Sequence, residues 1–175
     1  MPELDSSPNI RYSRSTGSFT YFLNPFGRVV WAHNLAGGYL QNLMNGGNVP
    51  YDKKGFLLGG PTTIRGFTNA EAFPNSADFG GNTSYPLLTR ASYYLIKSEI
   101  RFPLKGNIGA ALFYDGGQVQ LGDFNLPFGY RDSAGIALRY NTPVGPISGE
   151  FGWKLNRNTS RSESPYALNL AIGTF

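Results

Sequence analysis

Residues 130–141 read Tyr130-Arg131-Asp132-Ser133-Ala134-Gly135-Ile136-Ala137-Leu138-Arg139-Tyr140-Asn141. Strict alternation of two residue classes marks a β-strand whose two faces meet different surroundings. The even positions hold Tyr130, Ala134, Ile136, Leu138 and Tyr140, broken only by Asp132 near one end. The odd positions hold Arg131, Ser133, Gly135, Ala137, Arg139 and Asn141. The two tyrosines would stand about 25 Å apart along a membrane normal, at ~3.3 Å per residue and a ~40° tilt. That is the separation of two interfacial aromatic girdles around a lipid-facing band.

The neighbouring segments repeat the pattern. In 147–157, Ile147, Gly149, Phe151, Trp153 and Leu155 oppose Ser148, Glu150, Gly152, Lys154 and Asn156. In 96–102, Ile96, Ser98, Ile100 and Phe102 oppose Lys97, Glu99 and Arg101. In 107–119, Ile108, Ala110, Leu112 and Tyr114 oppose Asn107, Gly109, Ala111, Phe113 and Asp115. Segment 27–43 sets Val29, Trp31, Leu35 and Tyr39 against Arg28, Ala32, Asn34 and Gly38. Segment 166–175 sets Tyr166, Leu168, Leu170 and Ile172 against Ala167, Asn169, Ala171 and Gly173. Segment 10–23 is less regular, though Phe19, Tyr21 and Leu23 share a face. A soluble β-sandwich also alternates. Here, however, the polar faces mix Gly and Ala with charges, as a crowded lumen does, and the apolar faces carry Tyr and Trp at their ends.

Short turn-rich connections (24–27, 103–107, 142–146) alternate strictly with long polar ones (45–88, 120–129, 157–165). Outer-membrane barrels alternate periplasmic turns and extracellular loops in the same way. The expected fold class is therefore all-β, a transmembrane antiparallel β-barrel contributing seven strands from one unit over 1–175. Bacterial barrels have an even strand number and no open edge, so seven strands cannot close alone. The expectation is a C-terminal part of a larger barrel, completed by a second polypeptide or by further strands.

Composition agrees. Charged residues are 15% of the chain and aromatics 15%, with 23 glycines; soluble proteins average roughly 25% charged. No apolar run approaches the ~20 residues of a membrane helix. The net charge of +4 comes from scattered residues, which gives no nucleic-acid footprint. There is no cysteine and a single histidine, His33, so neither a thiolate site nor a His cluster can bind metal, and no cofactor is expected. His33 falls on the lipid-facing parity, away from any serine it could activate. The Gly-rich 59–66 lacks the Lys-Ser/Thr of a phosphate loop. Catalysis is not expected.

The longest connection contains Phe56-Leu57-Leu58-Gly59-Gly60-Pro61-Thr62-Thr63-Ile64-Arg65-Gly66-Phe67. A loop this long in a compact β protein is usually functional or disordered, and one arginine amid glycines points to a fixed polar partner. The elements Gly59-Gly60 with Ile64-Arg65-Gly66-Phe67, Phe113-Tyr114-Asp115-Gly116-Gly117-Gln118-Val119, Ser133–Tyr140 with Pro143-Val144-Gly145-Pro146, and Leu168–Phe175 resemble, in order, four motifs of the BamA/TamA superfamily of outer-membrane assembly and translocation barrels. The resemblance covers nearly everything from about residue 27 onward and corresponds to the last seven strands of a sixteen-stranded barrel. It implies that loop 45–88 is extracellular and folds into the lumen. There Ile64, Arg65, Gly66 and Phe67 would be anchored, with Arg65 bonded to acids at positions matching Glu99 and Asp115; parity independently turns both inward. It also implies a lateral seam at the last strand: Tyr166, Leu168, Leu170, Ile172, Gly173 and Phe175. Phe175 departs from the usual outer-membrane terminal pattern, being out of phase with Leu168, Leu170 and Ile172.

The function expected from this resemblance is assembly and insertion of outer-membrane proteins by edge addition at a weak seam. Alternatives are a translocation pore of the same superfamily or a structural half-barrel scaffold. Expected partners are membrane lipids, a polypeptide supplying the remaining strands, and client outer-membrane proteins; nucleic acid is not among them. The expected location is the outer membrane of a Gram-negative bacterium or of an organelle of bacterial descent.

Overall fold

The computed structural model describes residues 11–43, 49–50, 54–69, 71–72, 87–122, 129–143 and 145–173. Seven strands form one antiparallel sheet: β1 (Tyr12–Phe26), β2 (Val29–Asn42), β5 (Arg90–Pro103), β6 (Ile108–Leu121), β7 (Arg131–Thr142), β8 (Gly145–Lys154) and β9 (Tyr166–Ile172), hydrogen-bonded in that order. A two-residue ribbon, β3 (Val49–Pro50) with β4 (Leu87–Leu88), pairs near the ends of the long connection. Among the described residues no helix is long and apolar enough to cross a membrane.

Two elements run longer than the sequence pattern indicates. β1 continues through Pro25-Phe26, its register shifting between Leu23 and Phe26, so the turn is confined to Gly27-Arg28 with Gly27 at φ +52°. β5 starts at Arg90 rather than near residue 96. The consecutive aromatics Tyr93 and Tyr94 hide the alternation there. Tyr94 points outward, while Tyr93 turns inward onto Phe56 with ring centroids 4.6 Å apart.

The parity of every strand is the one the sequence indicates. Leu112, Ile136, Leu138, Trp153, Leu168, Leu170 and Ile172 stand exposed on the convex face, whereas Lys97, Glu99, Asp115, Arg131, Ser133, Arg139, Glu150 and Lys154 are buried on the concave face. So broad an apolar surface is foreign to a soluble monomer, and no second sheet covers it among the described residues. Lipid is the solvent that fits it. Asp132, the convex exception, is satisfied locally: the Tyr114 hydroxyl donates to its carboxylate at 3.1 Å.

The concave face is not uniformly polar. Phe56, Leu58, Ile64, Phe67 and Ala72 of the long connection pack with Leu40, Ala91, Leu95, Val119 and Leu121 of the wall to form the main apolar core. Register then stacks the inward residues in rungs across the sheet. One rung runs Asn34–Lys97–Asp115–Ser133–Lys154, and the next Ala32–Glu99–Phe113–Gly135–Gly152–Ala167. A third runs Val30–Arg101–Ala111–Ala137–Glu150–Asn169.

Candidate lumen anchor of the Arg-Gly-Phe loop

The middle rung is a trough. Its glycines leave room that any side chain would fill: a Cβ on Gly135 would come within 2.5 Å of the Phe113 ring, and one on Gly152 within 2.7 Å of Gly66 Cα. The loop lies in this trough because it first closes on itself. The amide of Gly60 donates to Phe67 O at 2.8 Å, that of Thr63 to Gly60 O at 3.2 Å, and that of Phe67 to Ile64 O at 3.1 Å. Gly59 and Gly60 sit at φ +114° and +97°, the left-handed region that a side chain disfavours. The pair of glycines is thus the local cause of the reversal that aims Arg65 at the wall.

Arg65 is 1% exposed. Its Nε and Nη2 donate to the two carboxylate oxygens of Asp115 at 2.7 and 2.8 Å, a bidentate fork, and its backbone N–H reaches the same carboxylate at 3.1 Å. Nη1 donates to Glu99 and lies 3.5 Å from Glu150 Oε1. The guanidinium stacks over Phe113, 3.7 Å from the ring centroid. Glu99 in turn accepts from Arg101 at 2.8 Å and forms an ion pair with Arg139 at 2.6 Å. Opposite charges on adjacent rungs therefore alternate, which limits the desolvation cost each would carry alone. Charge-assisted bidentate bonds are directional as well as strong, so they fix a loop in one place.

The other motif residues are held by separate devices. Gly66 N–H donates to Ser133 Oγ at 3.1 Å, and Arg65 O accepts from Asn169 Nδ2 at 2.6 Å. Phe67 sits between two cations, Arg131 at 4.8 Å and Lys154 at 5.0 Å from its ring centroid. Glu163 of the 157–165 loop accepts from Arg131 with both oxygens at 2.6 Å. Lys154 donates to Glu71 at 2.5 Å, and Glu71 also accepts from Thr68 N–H at 2.7 Å. Partial burial alone would raise the Glu71 carboxyl, but the bonds from Lys154 and Thr68 outweigh it and hold it below the usual glutamate range.

The structure thus brings Ile64, Arg65, Gly66, Phe67, Glu99 and Asp115 together in one buried cluster. Tyr166, Leu168, Leu170 and Ile172 point outward from β9, and Gly173 follows the strand at φ +107°. Phe175 lies outside the described residues. Glu150, Ser133, Phe113, Gly152 and Asn169 complete the anchor without having been singled out from sequence. All five carry the inward parity, but parity does not give the rung. The carboxylates of the anchor converge on a guanidinium that occupies their centre. The anchor ties one loop to β5, β6, β7, β8 and β9.

Comparison with known proteins agrees with this architecture. The model of the Omp85 superfamily domain matches residues 6–175. The outer membrane protein assembly factor BamA of Nitratidesulfovibrio vulgaris is 22% identical over 151 residues, 84% of this chain and 18% of that protein. The chain spans less than a fifth of that relative's length. In three dimensions, the crystal structure of BamA from Haemophilus ducreyi lacking POTRA domains 1–3 is similar with a TM-score of 0.63 at 20% identity, covering 93% of this chain and 34% of that one. At that identity the likeness concerns the fold.

Proposed function

Because the chain belongs to the Omp85 superfamily, we propose that it forms the seam-bearing wall of an outer-membrane barrel that assembles and inserts other outer-membrane proteins. The observation that carries this reading is the asymmetry of β9. With seven residues it is the shortest strand of the sheet, and it has one hydrogen-bonded neighbour among the described residues and an outward face of exposed Leu168, Leu170 and Ile172. A strand paired on one side presents free N–H and C=O groups along its other edge, a template for an incoming strand. Lipid beside it leaves an unpaired edge no water to bond, so the edge favours capture of another strand.

β1 and β9 run in the same direction, being the first and seventh strands of an antiparallel sheet. Antiparallel closure of the barrel therefore calls for an odd number of further strands between them. Those strands, whether from a partner polypeptide or from a longer form of the chain, meet β9 at the seam. The Arg65 anchor holds the wall's curvature while that seam is closed. The loop packs into the concave face, the space a substrate passing through the lumen would need, which favours the edge of β9 as the working surface.

Site-specific photo-crosslinkers placed at positions 166–173 test the reading in outer membranes engaged in assembly. Adducts between β9 and the strands of newly inserted clients are expected. Their complete absence while insertion continues removes the proposal.

A further inference from the structure

β9 meets the rest of the molecule in three ways. It pairs with β8 from Ile147–Ile172 to Trp153–Tyr166. Its convex side chains face outward. Its concave side chains are Ala167, Asn169, Ala171 and Gly173 (the last just beyond the strand), of which Asn169 alone is polar. That side chain spends its amide N–H on the backbone of the motif arginine itself, Asn169 Nδ2 to Arg65 O at 2.6 Å. Above it, Gly66 presses against Gly152, the rung neighbour of Ala167. Below it, Leu170, Ala171, Ile172 and Gly173 line an open cavity of about 280 Å³ with Pro61, Thr62, Lys97, Arg139 and Glu150. Glu150, opposite Asn169 in the sheet, keeps Oε2 without a hydrogen-bond partner among the described residues.

We propose that Asn169 is a latch by which the Arg65 loop holds the midpoint of the seam strand, so that loop release and seam opening are one coupled equilibrium. It rests on the assembly reading above and names how that site is regulated. The outer half of β9 adjoins the rung where Gly66 of the loop packs on Gly152, whereas the inner half, tied at its end by Gly173 N–H to Pro146 O at 2.8 Å, faces the loop only across the open cavity. Opening accordingly starts at the Gly173 end and stops at Asn169 unless the loop moves. Asn169 is a positioning residue: it acts through the backbone of Arg65 and touches no client. Coupling of this kind is reciprocal. Whatever pulls β9 aside loosens the loop, and whatever lifts the loop frees the strand.

The test uses hydrogen exchange on the membrane-embedded protein together with client crosslinking. Asn169→Leu keeps the volume and removes the donor; Asn169→Asp keeps the shape and, when ionised, has no donor to offer. Both are expected to speed exchange of the Tyr166–Ile172 amides roughly tenfold, the factor corresponding to one part-buried side-chain–backbone bond. The amides of β6, paired on both sides, keep their wild-type protection. Asn169→Gln, which retains the amide, restores most of the protection. The coupling itself is read from protease cutting within 56–69, which rises in the Leu and Asp variants but not in Gln. Unchanged β9 exchange, or faster exchange with an unchanged loop, overturns the latch. If exchange and cutting respond as expected while client crosslinks at 166–173 are absent from wild type and variants alike as insertion continues, the latch stands and the assembly reading falls.

Discussion

Removing the Arg65 guanidinium is the most demanding test of the anchor. In Arg65→Ala, Glu99 keeps Arg101 and Arg139 as partners, but Asp115, fully buried, loses its fork and keeps only the backbone N–H of residue 65 and the Lys97 ammonium from across the sheet. Breaking a buried ion pair by deleting one partner costs about 3–5 kcal/mol, chiefly through the stranded charge. At about 1.36 kcal/mol per tenfold, that raises the population with the loop displaced by roughly two to nearly four orders of magnitude. Protease cutting within 56–69 of the membrane-inserted protein follows that population when the loop opens and recloses faster than it is cut. A buried carboxylate deprived of its fork leaves a signature that simple loss of contacts lacks. Asp115→Asn placed in the Arg65→Ala background neutralises the stranded carboxylate, so the double variant should be better protected than Arg65→Ala alone. Arg65→Lys, with charge but no fork, should fall between wild type and alanine. Wild-type protection in Arg65→Ala, or a double variant whose two losses simply add, refutes the argument.

Gly152→Ala should expel the loop, since the new Cβ meets Gly66 Cα at 2.7 Å, while Gly149→Ala, whose Cβ meets nothing within 4 Å, should leave loop protection unchanged. Ile136→Arg, on the exposed convex face midway between Tyr130 and Tyr140, should cost about 2–4 kcal/mol in lipid; loss of the heat-modifiable folded band on gels is the readout. Glu71 is bound more tightly as the carboxylate than as the acid. Its contribution is therefore complete above the ordinary glutamate pKa and fades as pH falls through its lowered folded value. Loop protection should decline over that acidic window in the wild type and be flat there in Glu71→Gln, as measured by proteolysis with an acid-active protease.

The two faces of the wall were legible in the sequence because side-chain direction in a strand is set by the residue's own place in a period of two. Alternation in 130–141 and 147–157 assigned lipid and lumen residue by residue, and the convex exposure of Ile136, Leu138 and Trp153 follows it. Parity put Glu99 and Asp115 inward, and the family resemblance supplied Arg65 as their partner. Tertiary structure decided height. Which inward residues of different strands share a rung depends on register, fixed by turns and packing across the sheet rather than by any one segment's pattern. That is why Glu150 and Asn169 entered the anchor only once β7, β8 and β9 were aligned. The Phe113–Gly135–Gly152 trough emerged the same way. The apolar core beneath the loop was equally hidden, because Phe56, Leu58 and Ile64 lie in a segment with no strand periodicity. Their burial comes from the fold of the loop onto Leu95, Val119 and Leu121. A local repeat can say which solvent a side chain faces; only the assembled sheet can say which neighbours it meets there.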